Sequence, residues 1–302
     1  MTFNLVIAFC SVIPMNHRCP RCHSNKTRAH GFYTRSSDSK TITRRYCSNC
    51  KRAFSSATTS SCFKQHKRRI NSRLADLLSS GVSQRRSAIL LKVNRKTIKR
   101  KLDFLGLQAR LRHFNFLKTL KEEDLTHLQF DDLITSEHTK LKPLSLSVVV
   151  TKKRKIIGAT LSEIPAFGKR AAFSRLKYGR RKNEHYKNLL ELWRTLAPML
   201  PAEGRVDSDK HKNYAPIIKT HLPNWEHRSF EGLRGSTAGQ GELKPYARDP
   251  LFSINHTLAM FRANINRLFR RTWNTTKDPA ALMNHFWIYA EFHNSRLVSC
   301  NN

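Results

Sequence analysis

Residues 128–134, LQFDDLI, set two adjacent carboxylates into an apolar run of strand length. A buried strand has no use for unpaired charge, because an ionised carboxylate stripped of water is costly unless something positive replaces that water. Holding a metal ion is the arrangement that accounts for such acids, and hard divalent cations take oxygen ligands. The chain is thereby restricted to folds in which a central strand delivers carboxylates to a site.

Charge narrows what that site acts on. The 302 residues carry 56 Lys and Arg against 21 Asp and Glu, a net charge of +35. A polyanionic partner follows, and double-stranded DNA fits better than a membrane surface. Residues 1–120 hold 26 of the basic residues and only 3 of the acidic ones, so the acids are kept for the second half.

Four of the seven cysteines form two C-x2-C pairs, Cys19 with Cys22 and Cys47 with Cys50. In a basic chain this spacing reads as a four-thiolate zinc ribbon in a reducing compartment, with a closed metal site standing in for a core too small to hold itself. The ribbon is expected over residues 16–60, with room between the pairs for two short strands. Residues 1–15 are expected as an extension, either a leading strand or translated upstream sequence before Met15; the apolar stretch 2–14 is too short to span a bilayer.

Residues 61–112 carry a helix-turn-helix pattern. Ile70, Leu74, Leu77 and Leu78 recur at helical spacing, Gly81 ends that helix, and Ser83 caps a second one reaching Leu91. Asn94 caps a third, with Ile98 and Leu102 facing inward and Arg95, Lys96, Lys99 and Arg100 facing out as a basic, DNA-reading surface. Residues 105–120 read as a mixed connector.

A larger domain spans 122–300. Strands are expected at 128–134, 144–150, 156–161, 205–209 and 225–230, with helices at 184–196 and 213–221. Residues 231–250 hold four of the eleven glycines and read as a covering loop. A helix then runs through Arg271, with Leu258, Phe261, Ile265 and Leu268 on its core face and Asn255, Arg262 and Asn266 on a polar one. Asn255 alone reads as an N-cap. A last helix, 280–292, is aromatic-rich, and Trp273 and Trp287 read as core. His138, His211, His221, His256 and His285 lack metal-ligand spacing and read as structural or solvated.

An acid mid-way along the first strand, another at the end of the fourth and a polar residue opening a late helix make the layout of a ribonuclease-H-like site, in which two cations bridge attacking and leaving oxygens of one phosphate. Over Cys19 to Asn294, through the paired cysteines, the helix-turn-helix, QFDDL, SDKHKNY, NHTLAMFRANINRLFRRTW, TTK and FHN, the chain resembles bacterial insertion-sequence transposases of the ribonuclease-H-like DDE class, in particular the zinc-ribbon-headed groups. The resemblance implies a multidomain α/β protein: zinc ribbon, helix-turn-helix, then a ribonuclease-H-like mixed sheet flanked by helices. It puts the first family acid on Asp131 and the second on Asp209, both ligands of Mg2+ or Mn2+. Where a Glu would open the late helix the chain has Asn255, as some zinc-ribbon groups do; Glu242 is the alternative third ligand. Asp132 is expected to point to the opposite sheet face from Asp131.

What the resemblance implies is binding of element ends followed by metal-dependent strand cleavage and transfer, by a homo-oligomer on DNA, with a cytoplasmic, nucleoid-associated location. The alternative is a catalytically inactive, transposase-derived DNA-binding regulator, kept open by the missing third carboxylate. A stand-alone nuclease would share the layout but have less need of two DNA-reading modules.

Overall fold

The computed structural model describes residues 18–36, 38–63, 65–231, 249–270 and 273–298. Residues 1–15 and Glu242 therefore lie outside the described residues. The chain divides into two compact units, Met1–Ala75 and Asp76–Asn302.

In the first unit, strands β1 (Thr27–Arg35), β2 (Lys40–Cys47) and β3 (Arg52–Ser55) form one antiparallel sheet, three strands where two were expected, and β3 leads into the single turn α1 (Ser56–Thr59). The sheet buries little: Phe32 is 75% exposed, while Cys19 and Cys47 are buried. Helix α2 (Asn71–Ser79) follows a 3-10 turn at Arg68–Ile70.

Helices α3 (Gln84–Leu90) and α4 (Arg95–Leu117) start where their caps predict. The Ser83 hydroxyl accepts from the Arg86 N–H at 3.2 Å, and Asn94 Oδ1 from the Lys96 N–H at 2.8 Å. What differs is length: the segment expected as a connector is helix as far as Leu117. Leu105, Ala109 and Leu117 prolong the buried stripe begun by Ile98 and Leu102, whereas exposed Leu107, Leu111 and Phe114 blur that stripe in the sequence.

After α5 (Glu122–Leu125) comes the central strand β4 (His127–Ser136), then β5 (Pro143–Thr151) and β6 (Ile156–Glu163). Helix α6 (Ala171–Tyr178), not foreseen from sequence, precedes α7 (His185–Leu196), β7 (Gly204–Asp209), α8 (Tyr214–His221) and β8 (Trp225–Phe230). The sheet order is β6-β5-β4-β7-β8. β4, β5 and β6 pair antiparallel, and β4, β7 and β8 pair parallel. This is the mixed, ribonuclease-H-like sheet flanked by helices. One face packs on α7 and α8, where Phe130 meets Trp193 and Tyr214 with ring centroids 5.5 and 4.1 Å away.

The other face carries α9 (Phe252–Asn264) and α10 (Pro279–Phe292). Gln129 is fully buried on β4, and both ends of its amide are satisfied: it donates to Pro250 O at 2.6 Å and accepts from the Ile254 N–H at 3.1 Å. A polar residue in a core strand thus docks the start of α9. Three expectations need correction here. The helix ends at Asn264, with Ile265 extended, so Asn266 falls in a separate 3-10 turn and is buried. The N-cap is Leu251, leaving Asn255 as the fourth residue of α9. Trp287 is core, but Trp273 is fully exposed.

α4 is packed into this second unit. His113 Nε2 lies 3.0 Å from Ile157 O on β6, Arg112 pairs with Glu291, and Gly106 sits against Asn284 of α10. A Cβ at Gly106 would come within 2.4 Å of Asn284 Cβ and 2.6 Å of its Cα. Alanine favours a helix interior over glycine by about 1 kcal/mol, but here two backbones must separate, which costs more. Gly106→Ala is expected to destabilise the protein by about 2 kcal/mol, read as a lower denaturant midpoint.

Candidate active site and four-cysteine centre

The four cysteines converge. Cys19 and Cys22 precede β1, Cys47 closes β2, and Cys50 lies in the turn to β3. Their sulfurs all lie within 4.8 Å of one another, with Cys19 Sγ 3.6 Å from Cys50 Sγ and Cys22 Sγ 3.5 Å from Cys47 Sγ. Tetrahedral Zn2+ with bonds of about 2.3 Å places its sulfurs about 3.8 Å apart, so the donor set and spacing fit that ion. The residue after each pair, His23 and Lys51, has positive φ, 55° and 56°. Two knuckles of the same shape thus fold their thiols toward one point. The Ser24 backbone N–H draws the Cys22 thiol down to about 6, while burial and the Cys19 sulfur push Cys50 up to about 12. Among the described residues this is the one group of three or more Cys, His, Asp or Glu side chains placed to hold a metal.

Asp131 and Asp209 come together on neighbouring strands. β4 and β7 run parallel with Phe130 opposite Ser208, so the next residue of each strand is an aspartate. Both acids line a cavity of about 350 Å³ with Asp132, His185, His211, Asn213 and Phe167. Burial pushes the Asp131 carboxyl up to about 7, and the charges of Asp209 and Asp132 add to this. Asp131 Oδ1 accepts from the Asp132 N–H at 2.7 Å, and Asp209 Oδ1 from the His211 N–H at 3.1 Å. Neither acid has an ion pair with a basic side chain among the described residues. Two carboxylates in one cavity without a protein cation have the oxygen chemistry that a hard divalent ion takes.

Asp132 takes its partners from the α7–α8 side, as strand alternation predicts, and it is far from idle. Burial would raise its carboxyl, but hydrogen bonds from His185, Ser147 and Tyr214 hold it below the usual carboxylate range. Asn213 Nδ2 lies 3.3 Å from the other His185 nitrogen. The sequence reading missed His185, and it counted His211 as structural or solvated although that ring lines the cavity, 5.1 Å from His185. The one available signal for His185 was its place at the start of a predicted helix. Asp207 is fully buried and held by Arg205 at 2.8 Å and His127 at 2.6 Å, so it serves the fold.

Asn255 is half-buried on the first turns of α9 and does not line the cavity; its amide nitrogen donates to Asp249 Oδ2 at 2.8 Å. On α4, Arg95, Lys96, Lys99 and Arg100 are all exposed. No helix among the described residues is long and apolar enough to cross a membrane.

No protein-family model and no curated protein matches the sequence. Among solved structures, the chain is similar to the crystal structure of the Mos1 strand transfer complex, with 13% identity, 75% of this chain and 78% of that chain covered, and a TM-score of 0.26. It is also similar to that of a pre-cleavage Mos1 transpososome, with 10% identity, 76% and 78% covered, and a TM-score of 0.22.

Proposed function

We propose that this chain is a transposase that binds the ends of its mobile element and cuts and rejoins DNA strands by metal-assisted phosphoryl transfer. The observation that carries this reading is the pair Asp131 and Asp209, side by side on parallel strands in a cavity, in a chain of net charge +35. Mg2+ or Mn2+ bound there would supply charge stabilisation to the phosphate and activate the attacking oxygen. The chain's own part is to hold the two carboxylates, with the Asp132–His185 pair fixing the strand end beside them. Water attacks phosphorus as the P–O3′ bond breaks, leaving a 5′-phosphate and a 3′-hydroxyl; that hydroxyl then gives up its proton and attacks a phosphorus of a second strand, whose own P–O3′ bond breaks and whose O3′ takes up a proton as it leaves. Asn255 lies outside the cavity wall with its nitrogen engaged by Asp249, so its proposed role as third ligand, through Oδ1, requires it to approach the two acids when metal and DNA are bound. Glu242 is the alternative. Zn2+ in the four-cysteine centre completes the ribbon.

The test is incubation of the full chain with duplexes bearing its own element ends and Mg2+ or Mn2+. Nicking at the ends supports the reading. If the ends are bound but never cut, the regulator reading replaces it.

DNA binding itself should be strongly salt-dependent. Each phosphate neutralised adds about 0.9 to the slope of log affinity against log salt. Replacing Arg95, Lys96, Lys99 and Arg100 together by alanine is expected to lower that slope by roughly 3 to 4, measured with the full chain because α4 packs into the sheet unit. An unchanged slope would remove these residues from the interface.

A further inference from the structure

Between β6 and α7 the chain leaves the sheet for residues 164–184, which contain seven Lys and Arg against one Glu. This excursion is anchored. The Ser174 hydroxyl of α6 donates to Leu141 O at 2.7 Å, and Arg181 bridges Glu137 at 3.0 Å and Glu163 at 3.1 Å. Arg181 is thereby neutralised, while Arg175, Arg180 and Lys182 are exposed and have no ion pair among the described residues. Together with Lys187 they line a trough of about 850 Å³. Pro165 and Asn183 line both this trough and the cavity of Asp131 and Asp209, so the two adjoin.

Aromatic rings are interleaved with these cations. Phe167 sits in the wall of the aspartate cavity yet is 64% exposed, and Phe173 on α6 is 68% exposed. Bare rings beside a basic trough match one kind of polyanion. A stacked duplex has its base faces already occupied, whereas an unpaired strand offers both a π-face for a ring and phosphates for the cations.

We propose that residues 164–184 form a platform for a single, unpaired strand of DNA, on which Phe167 stacks a base next to the reacting phosphate while Arg175, Arg180 and Lys182 contact the backbone. The proposal rests on the DNA-processing reading of the site and adds the form of substrate it takes. It implies that the strand is separated from its partner before reaching Asp131 and Asp209.

The test uses the full chain carrying Asp131→Ala, so that nothing is cut. Two fluorescent probes are compared: a blunt duplex, and the same duplex with a short overhang containing 2-aminopurine. Tighter binding of the tailed probe, with quenching of the 2-aminopurine, is expected. Adding Phe167→Ala should reduce the preference about tenfold and relieve the quenching, and Phe167→Trp should restore both. Arg175→Ala with Arg180→Ala and Lys182→Ala should flatten the salt dependence for the tailed probe more than for the blunt one. Equal affinity for both probes without quenching would overturn the platform. So would a dimer dissociated by Phe173→Ala with no change in DNA binding, because the face would then be covered by a second copy. Failure of the catalytic reading is seen separately, as an absence of nicking by the chain with Asp131 intact.

Discussion

Alanine at Asp131 or at Asp209 is expected to lower Mg2+- or Mn2+-dependent strand cleavage by about a thousandfold or more, while binding of the element ends is retained. A metal at a transferring phosphate contributes several kcal/mol of charge stabilisation, and each 1.36 kcal/mol is a factor of ten in rate. Loss of either carboxylate removes a proposed ligand from a set that starts with only two acids, one on β4 and one on β7, lining the same cavity. Binding should persist because the exposed cations of α4 lie on a different element. The same assay ranks the third ligand. Asn255→Ala should reduce cleavage more than Glu242→Ala, and Asn255→Asp restores charge at nearly constant size. A dead Glu242→Ala beside an active Asn255→Ala would transfer the role to the loop. A further readout does not depend on turnover: Mn2+ should raise the melting temperature of the intact chain, and Asp131→Ala should abolish that rise.

Exchanging Cys19 and Cys47 together for serine is expected to remove one equivalent of zinc and unfold the small sheet. Apparent zinc-binding energies of about 10 to 16 kcal/mol in comparable modules exceed what so few buried apolar groups supply. With Phe32 exposed and the buried side chains of the knuckles being the thiols themselves, little else holds β1, β2 and β3 in place. Metal analysis gives the first measurement and hydrogen exchange the second, with protection lost over residues 18–55. Unchanged zinc content would overturn the assignment.

The strands of the larger domain were legible because β4, β5 and β6 are apolar runs separated by charged turns, and β7 is short and bounded by Gly204. Asp131 and Asp209 were legible as candidates because acids stand out in apolar strands. Their company was not. His185 joins Asp132 from 53 residues away, and Gln129 reaches Pro250 and Ile254 across more than a hundred; no local pattern encodes such pairings. α6 escaped notice because Phe173 and Leu176 are exposed, so no buried stripe marks it as helix. The continuation of α4 was obscured in the same way, since Leu107, Leu111 and Phe114 place apolar side chains on its outer face.

That continuation makes α4 a ruler. Its 23 residues span about 34 Å at 1.5 Å per residue. Its first turns present Arg95, Lys96, Lys99 and Arg100, and from its midpoint onward it is clamped to α10 through Gly106 and Arg112 and to β6 through His113. On the function proposed here, the separation between the bases that are read and the phosphate that is cut is set by the covalent length of one rod. An extra alanine inserted between Lys101 and Leu105 would turn the basic face by about 100° and advance it by about 1.5 Å without altering a residue of the cavity. Cutting would then be displaced along the duplex, not abolished: the helix carries a distance as well as a sequence preference.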